Sequence, residues 1–177
     1  MLLTYDSLIS HDLSEHTSNV LTNDNTEVLT FYLDNKVGWQ YLDSYTYTNN
    51  QYKIGRNEIR IYSTGHLILE IDFIRSIFQR LDDFIDIDFI EMDNNNGSDI
   101  DIYGINYSSL QTSNSVGNVV AQSSSSGYWW DIFWKKTDDS LNLNANDKNT
   151  IIHEIGHALG LSHPNENGFD PDLTTDE

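Results

Sequence analysis

The chain has 177 residues, of which 38% are hydrophobic and 12% aromatic, enough apolar material for one buried core and too much for a disordered chain. Its 28 acidic and 9 basic residues give a formal net charge of −19, a field that repels phosphate backbones and anionic lipids and so disfavours nucleic acid and membranes as partners. Because the chain has no cysteine, disulfides, zinc fingers and iron–sulfur clusters are excluded, and any metal must be bound by nitrogen and oxygen atoms.

The first part of the chain shows no pattern of regular structure. Residues 1–26 are rich in Ser, Thr, Asn and Asp without a sustained hydrophobic period, so we expect a flexible N-terminal segment there and one domain over residues 27–177. A Sec-type signal peptide needs a basic stretch followed by an apolar one, and residues 1–6 lack that pattern. No apolar run reaches the length of a membrane span.

Strand and helix patterns begin after this segment. Apolar, β-branched and aromatic residues predict strands at 28–33 and 59–62. Over residues 67–83 the apolar side chains recur at spacings of three and four, which is the pattern of an amphipathic helix.

Two short alternating stretches come next. Apolar residues alternate with aspartates at 85–89 and at 99–102, which predicts two half-buried strands. The Asn, Asp and Gly residues at 93–98 have the chemistry of a turn that joins them. This turn does not have the register of an EF-hand calcium loop.

The second half of the chain predicts two further strands and a helix. Strands are expected at 118–122 and 128–134, separated by a serine-rich loop, and the aromatic second strand is interpreted as core rather than as a specificity pocket. A helix is expected at 147–159, with Asn146 or Asp147 as its N-cap and Gly160 as the residue that ends it. The order of elements predicts an α+β fold in which two helices back a mixed sheet, an α/β-layered arrangement.

The strongest functional signal is the segment HEIGHALGLSH at residues 153–163. Positions four apart on a helix lie one above the other, so His153 and His157 direct two imidazole nitrogens at one point, which suits a zinc ion. A catalytic zinc needs a third protein ligand and one open position for water. His163 is the predicted third ligand, because Gly160 can adopt a left-handed conformation that turns the chain back towards the metal.

Glu154 is the predicted catalytic base. It follows the first ligand at about 100° around the helix, so its carboxylate can flank the metal without binding it. We expect it to take a proton from zinc-bound water and to deliver that proton to the leaving amine. The reaction is then hydrolysis of a peptide bond without an acyl-enzyme. The alternative, ordinary histidines on an amphipathic helix, requires several fixed offsets to coincide. His11, His16 and His66 lack ligand spacing and are expected to be solvated or locally hydrogen-bonded.

On these residues the chain resembles the metzincin zinc metalloproteases, and segment 153–164 is most similar to serralysins and matrixins. The resemblance implies a zinc endopeptidase for protein or peptide substrates, secreted to the extracellular space and monomeric, with calcium as a second candidate cation. It also implies a twisted mixed β-sheet with an antiparallel edge strand. That strand would be 118–122, at the rim of a cleft where an extended substrate pairs with it. A packed strand within the sheet is the other interpretation of the same residues.

The chain departs from the metzincin pattern after His163. Metzincins have a methionine turn beneath the metal downstream of the third histidine, and serralysins add a tyrosine ligand there. Here Met1 and Met92 precede the motif and 14 residues follow it, so we expect the C-terminal subdomain to be truncated. Two alternatives stay open: a non-catalytic zinc-binding fragment of such a protease, and a metal-dependent hydrolase of another bond. Glu154 favours catalysis, because a structural zinc site does not need a carboxylate beside its first ligand.

Overall fold

The structure is a computed structural model that describes residues 11–22, 27–48, 51–109, 116–124, 127–138, 141–161 and 163. Within these residues three helices and seven strands form a mixed α+β fold. In chain order they are α1 (His11–Leu21), β1 (Val28–Leu33), β2 (Val37–Thr48), β3 (Gln51–Thr64), α2 (Ile68–Asp82), β4 (Asp88–Met92), β5 (Ile100–Ser108), β6 (Gly117–Ser124), β7 (Gly127–Lys135) and α3 (Ala145–Ala158). None of the described helices is both long and apolar enough to cross a membrane.

The strands form one sheet around β1 and β5. Strand β1 pairs in parallel with β4 on one side and with β5 on the other. Strand β7 is parallel to β5, and β6 is antiparallel to β7. Among the described strands β6 pairs with β7 alone. The sheet is therefore mixed and has an antiparallel strand at its edge.

A long hairpin adds the two strands β2 and β3 to the sheet. The sequence predicted only residues 59–62 of this hairpin as a strand. Strand β3 is antiparallel to β5 and contacts its second half, from Ile105 to Ser108. Strand β7 pairs with the other edge of β5 at Ile105. Strand β3 therefore pairs with the same edge of β5 as β1 does, beyond the point where β1 ends at Leu33. The hairpin thereby extends the sheet beyond the end of β1.

The two faces of the sheet bury different clusters, because successive side chains of a strand point to opposite faces. Helices α1, α2 and α3 cover the first face. Its buried side chains are Val20, Leu29, Phe31, Leu33, Ile74, Phe78, Ile100, Ile102, Trp130, Ile132, Trp134, Ile151, Ile155 and Ala158. The other face buries Ile59, Ile61, Tyr103, Ile105 and Phe133, with Leu42 and Val120 packed against them.

Most of the predicted elements are confirmed. The strands at 28–33, 59–62, 118–122 and 128–134 and the helix at 67–83 lie where the sequence predicts them, to within one residue at the helix ends. Three side chains of the aromatic strand, Trp130, Phe133 and Trp134, are at most 2% exposed. That strand is core, as predicted.

The first 26 residues are not uniformly flexible, because residues 11–21 form α1. Its buried stripe consists of Leu13, His16, Thr17, Val20 and Leu21, which are all buried or half-buried. This spacing of three and four is that of one helix face. The period was missed because His16 and Thr17 are polar, although both are buried. Residues 1–10 and 23–26 lie outside the described part, so the prediction for them is not addressed.

The strand predicted at 85–89 is displaced along the chain. Residues 83–86 form turns and bends, and β4 begins only at Asp88. The displacement follows from pairing, since Asp88 is the residue opposite Val28, the first residue of β1. Residues 83–87, just before Asp88, have no partner strand in the described part, and Phe84 among them is 85% exposed.

Helix α3 begins earlier than predicted, with Asn144 as its N-cap in place of Asn146 or Asp147. The Asn144 side chain accepts a hydrogen bond from the Asp147 N–H at 2.9 Å, and the Asp147 carboxylate accepts one from the Asn144 N–H at 3.3 Å. This reciprocal pair is a capping box with Asp in the third helical position. Asp147 is therefore part of the cap without being the N-cap.

Candidate metal centre

The three predicted ligands converge at the C-terminal end of α3. His153 and His157 lie one turn apart on the helix, and their Nε2 atoms are 3.0 Å apart. The Nε2 atom of His163, which follows the helix, lies 2.8 Å from that of His153. All three ligand atoms are within 4.8 Å of one another, and no other group of this kind is found among the described residues.

The turn after α3 brings His163 back to the helix. Gly160 has a φ of +94°, in the left-handed region that glycine adopts at low cost. The Leu161 N–H donates to the Gly156 carbonyl at 3.0 Å, which closes the turn. The Leu161 carbonyl accepts a hydrogen bond from Nδ1 of His157 at 2.7 Å. Because Nδ1 carries the proton, the lone pair of His157 Nε2 faces the point where the three rings meet.

The donor set fits a zinc ion better than a hard cation. Neutral imidazole nitrogens suit zinc, whereas calcium and magnesium select oxygen ligands. Three protein ligands leave one position open, which is the arrangement of catalytic zinc sites. His153 and His163 are exposed, so that position is accessible from solvent.

Glu154 lies beside this cluster and is only 6% exposed. Burial raises the pKa of its carboxyl to about 7, and the nearby charge of His163 acts in the opposite direction. The desolvated carboxyl therefore exchanges its proton near neutral pH, which is the range in which a general base is effective.

Gly117, the first residue of β6, is a site residue that the sequence prediction missed. A Cβ atom at this position would lie 2.1 Å from Oε1 of Glu154 and 2.7 Å from its Cδ. The Glu154 side chain thus packs directly on the backbone of β6. A glycine just before the predicted strand at 118–122 was the available signal, since glycine at a strand often marks a close approach of another group.

The cluster opens into a cavity of about 390 Å³. The edge strand β6 forms one wall, and α1 adds an apolar side chain to the lining. The lining residues are Leu13, Gly117, Asn118, Val119, His153, Glu154, His157 and His163. The described elements therefore bring a strand edge, an apolar contact and a histidine cluster to one opening.

The remaining histidines serve other contacts. His16 is buried, and its Nε2 is hydrogen-bonded to the Trp129 carbonyl at 2.9 Å. The Nδ1 of His66 donates to the Asp34 carbonyl at 2.8 Å, and its Nε2 accepts from Trp134 Nε1 at 3.1 Å. Local hydrogen bonding, as predicted, is confirmed for both, but neither is simply solvated. The side chain of His11 lies outside the described part.

No family model, no curated protein and no solved structure matches this chain. The chemistry of the centre is therefore derived from its own residues. These are three imidazole nitrogens that meet at one point, a buried carboxyl group beside them, and an edge strand that lines the same cavity.

Proposed function

We propose that this chain is a zinc-dependent endopeptidase of the metzincin type, with His153, His157 and His163 as zinc ligands and Glu154 as general base. The observation that carries the proposal is the meeting of three Nε2 atoms beside the buried Glu154 carboxyl, at the wall of an open cavity. A structural zinc site needs neither the carboxyl group nor the opening.

The sheet supports the proposal. Leaving aside the β2–β3 hairpin, the strands lie in the order β4, β1, β5, β7, β6, and only β6 is antiparallel to its neighbour. The resemblance to metzincins implies such an antiparallel edge strand at the cleft. Because Gly117, Asn118 and Val119 of β6 line the cavity, an extended peptide can add to this edge by main-chain hydrogen bonds.

In this proposal the three histidines hold the ion, which, when bound, supplies the Lewis acidity that activates water and polarises the scissile carbonyl. The Glu154 carboxylate accepts a proton from the attacking water as the oxygen adds to the carbonyl carbon. It then gives that proton to the amide nitrogen as the C–N bond breaks. The His157 Nδ1–H bond to the Leu161 carbonyl keeps the ligand ring in its tautomer and orientation.

The substrate in this proposal is a protein or peptide in extended conformation. A net charge of −19 favours the approach of segments with basic residues. Action outside the cell as a monomer, and calcium as an additional ligand, belong to the same proposal through the family resemblance.

The test is cleavage of an unstructured protein by the zinc-loaded chain, with Glu154→Gln prepared in parallel. The variant keeps the size of the side chain and removes the base, so cleavage is expected to fall by roughly 10²-fold to 10⁴-fold while zinc content stays equal. Cleavage is followed by release of labelled peptide, and zinc by elemental analysis.

The other outcomes separate the competing functions. Equal cleavage by parent and variant would remove Glu154 from the chemistry. Stoichiometric zinc without cleavage in either protein would favour the non-catalytic zinc-binding fragment. A chain that binds no zinc would overturn the metal centre itself.

A further inference from the structure

Helix α1 packs against the turn that carries the third histidine. The Thr17 hydroxyl is hydrogen-bonded to the carbonyl of Ala158, the last residue of α3, at 3.1 Å. The same hydroxyl also donates to the Leu13 carbonyl within α1, at 2.9 Å, so its one proton is shared between two acceptors. Thr17 is 8% exposed. Because the last carbonyls of a helix have no intrahelical donor, the hydroxyl of Thr17 satisfies one that is otherwise without a partner inside α3.

The contact between α1 and the turn is close. A Cβ atom at Gly160 would lie 3.5 Å from Cα of Ser14 and 3.7 Å from Oγ1 of Thr17. Small side chains on α1 therefore face the glycine that reverses the chain. Leu13, which lies one helix turn before Thr17 on α1, lines the cavity beside the histidines. The first helix thus contacts both the turn and the opening of the site.

Helix α1 is itself held firmly by the sheet. His16 bonds to the Trp129 carbonyl of β7 at 2.9 Å, and its ring packs edge-on against Trp130 with 4.4 Å between centroids. Val20 is 2% exposed and belongs to the core. The contacts on both sides of Thr17 make α1 a fixed support rather than a loose cover.

The three ligands differ in how they are held. His153 and His157 lie within α3, where the helix backbone fixes their spacing. His163 lies beyond the turn and is exposed. Its distance from the other two depends on the turn at Gly160, and α1 packs on this turn through Thr17 and Ser14. Removal of that support should therefore weaken the contribution of His163 first.

We propose that α1 is a positioning element of the metal centre and that Thr17 is its positioning residue, which holds the end of α3 so that His163 completes the ligand set. This inference rests on the proposed zinc site. It assigns a role in metal binding to a segment that precedes the first strand and is far from the HEIGHALGLSH motif in sequence.

The experiment measures the zinc dissociation constant of the full chain by competition with a chromophoric chelator, at a temperature where every variant is folded. Thr17→Val keeps the shape of the side chain and removes the hydroxyl. Loss of one buried hydrogen bond is expected to weaken zinc binding by about tenfold. Thr17→Ser restores the hydroxyl and is expected to bind zinc close to the parent affinity.

Two further variants separate positioning from general stability. Ile74→Val trims the core beneath α2, where the side chain is fully buried, so it lowers the melting temperature without a change in zinc affinity. In the His163→Ala background, Thr17→Val should cause no additional loss, because the ligand that it positions is absent.

The outcomes are distinct. Parent-like zinc affinity in Thr17→Val overturns the inference, as does an equal loss in the His163→Ala background or in Ile74→Val. The inference is supported if Thr17→Val weakens zinc binding tenfold, if Thr17→Ser binds zinc with parent-like affinity, and if Thr17→Val causes no further loss in the His163→Ala background. If the parent chain itself binds no zinc, the proposed function fails, and the inference fails with it before any comparison of variants.

Discussion

At the scale of single residues, Glu154 and Gly117 share one small volume at the metal centre. Glu154 comes from α3 and Gly117 from the start of β6, and the carboxyl group of one rests on the backbone of the other. The absence of a side chain at 117 is what leaves room for the Glu154 carboxyl group in this position. If Glu154 is the proposed general base, this contact has a direct chemical consequence, because a base must be held within hydrogen-bond reach of its proton.

Gly117→Ala is predicted to displace the carboxyl group and leave the metal in place. The new methyl group would lie 2.1 Å from Oε1 of Glu154, a distance that forces the side chain to move. A shift of about 1 Å in a catalytic group lowers turnover by roughly 100-fold. Peptide cleavage at saturating substrate and zinc content are measured together; activity should fall while zinc content is retained.

The matched control is Gly156→Ala, also next to the centre. Its added Cβ would lie 3.6 Å from Leu161 Cδ1, an ordinary contact distance. We expect this variant to keep zinc and most of its activity. If the two alanine variants lose activity equally, the close approach of β6 to Glu154 is not what sets the position of the base.

At the scale of elements, α3 is fixed at both of its ends. Its N-terminus is closed by Asn144 and Asp147, and the fully buried Asp147 also accepts hydrogen bonds from Thr137 N–H and Oγ1 at 2.8 and 2.7 Å. Its C-terminus is closed by the Gly160 turn. The same helix therefore ties the loop after β7 to the histidine cluster.

Asn144→Ala is predicted to reduce stability by about 1 kcal/mol, since it removes the acceptor for the Asp147 N–H. For a chain of this size that corresponds to a fall of about 2–4 °C in melting temperature. Thermal unfolding followed by circular dichroism measures it. Asn149→Ala, on the exposed side of the same helix, removes no cap and should melt no lower than the parent. Equal melting of the parent and both variants would mean that the cap contributes nothing.

Elements with a strong local signal were predictable from the sequence. Helix α2 has a long apolar period, α3 is marked by its histidine motif and by the glycine that ends it, and β7 is rich in aromatic residues. The closeness of the two helical histidines follows from a spacing of four residues, and the approach of the third from one glycine that reverses the chain. For these parts the information lies within about a dozen residues, so no knowledge of the tertiary fold was needed.

The parts that escaped prediction depend on contacts between distant residues. The start of β4 is set by its pairing with Val28, which the local alternation at 85–89 does not contain. Helix α1 was missed because its buried face includes the polar residues His16 and Thr17, which each have a hydrogen-bond partner more than 100 residues away. Gly117 became a site residue only through its contact with Glu154.

At the scale of the whole molecule, the face of the sheet opposite the helices buries acidic groups. Asp101 of β5 and Asp131 of β7 are direct neighbours in the register of the sheet, and both are at most 3% exposed. Burial, followed by the proximity of Asp131, raises the pKa of Asp101 to about 8. Burial raises the pKa of Asp131 to about 7, against a lowering hydrogen bond from Gln122. The fold therefore favours the protonated form of both carboxyl groups.

Stability is predicted to fall as pH rises from about 4 to about 8. In the unfolded chain aspartate loses its proton near pH 4. A carboxyl group whose pKa is raised by folding stabilises the protein below that pH, and the contribution is lost as pH passes through the folded value. Asp131→Asn, a neutral side chain of the same shape, should flatten this slope. Urea unfolding of parent and variant between pH 5 and pH 8 measures the free energy of unfolding.

A control is needed because a net charge of −19 produces a pH dependence of its own. Asp86→Asn removes one charge from an exposed position and should leave the slope as it is in the parent. A slope that is unchanged in Asp131→Asn would show that this carboxyl group is ionised in the folded protein at low pH.

The bond between Thr17 and Ala158 joins residues 141 positions apart, and the whole sheet lies between them in sequence. Contacts of such separation form late in folding, because the entropy of closing a long loop must be overcome before they contribute. During synthesis, α3 leaves the ribosome after all seven strands of the described part have been made. For the proposed endopeptidase, we therefore expect nascent and partly folded chains to lack the complete set of proposed ligands, so that a growing chain would not cleave itself or its neighbours.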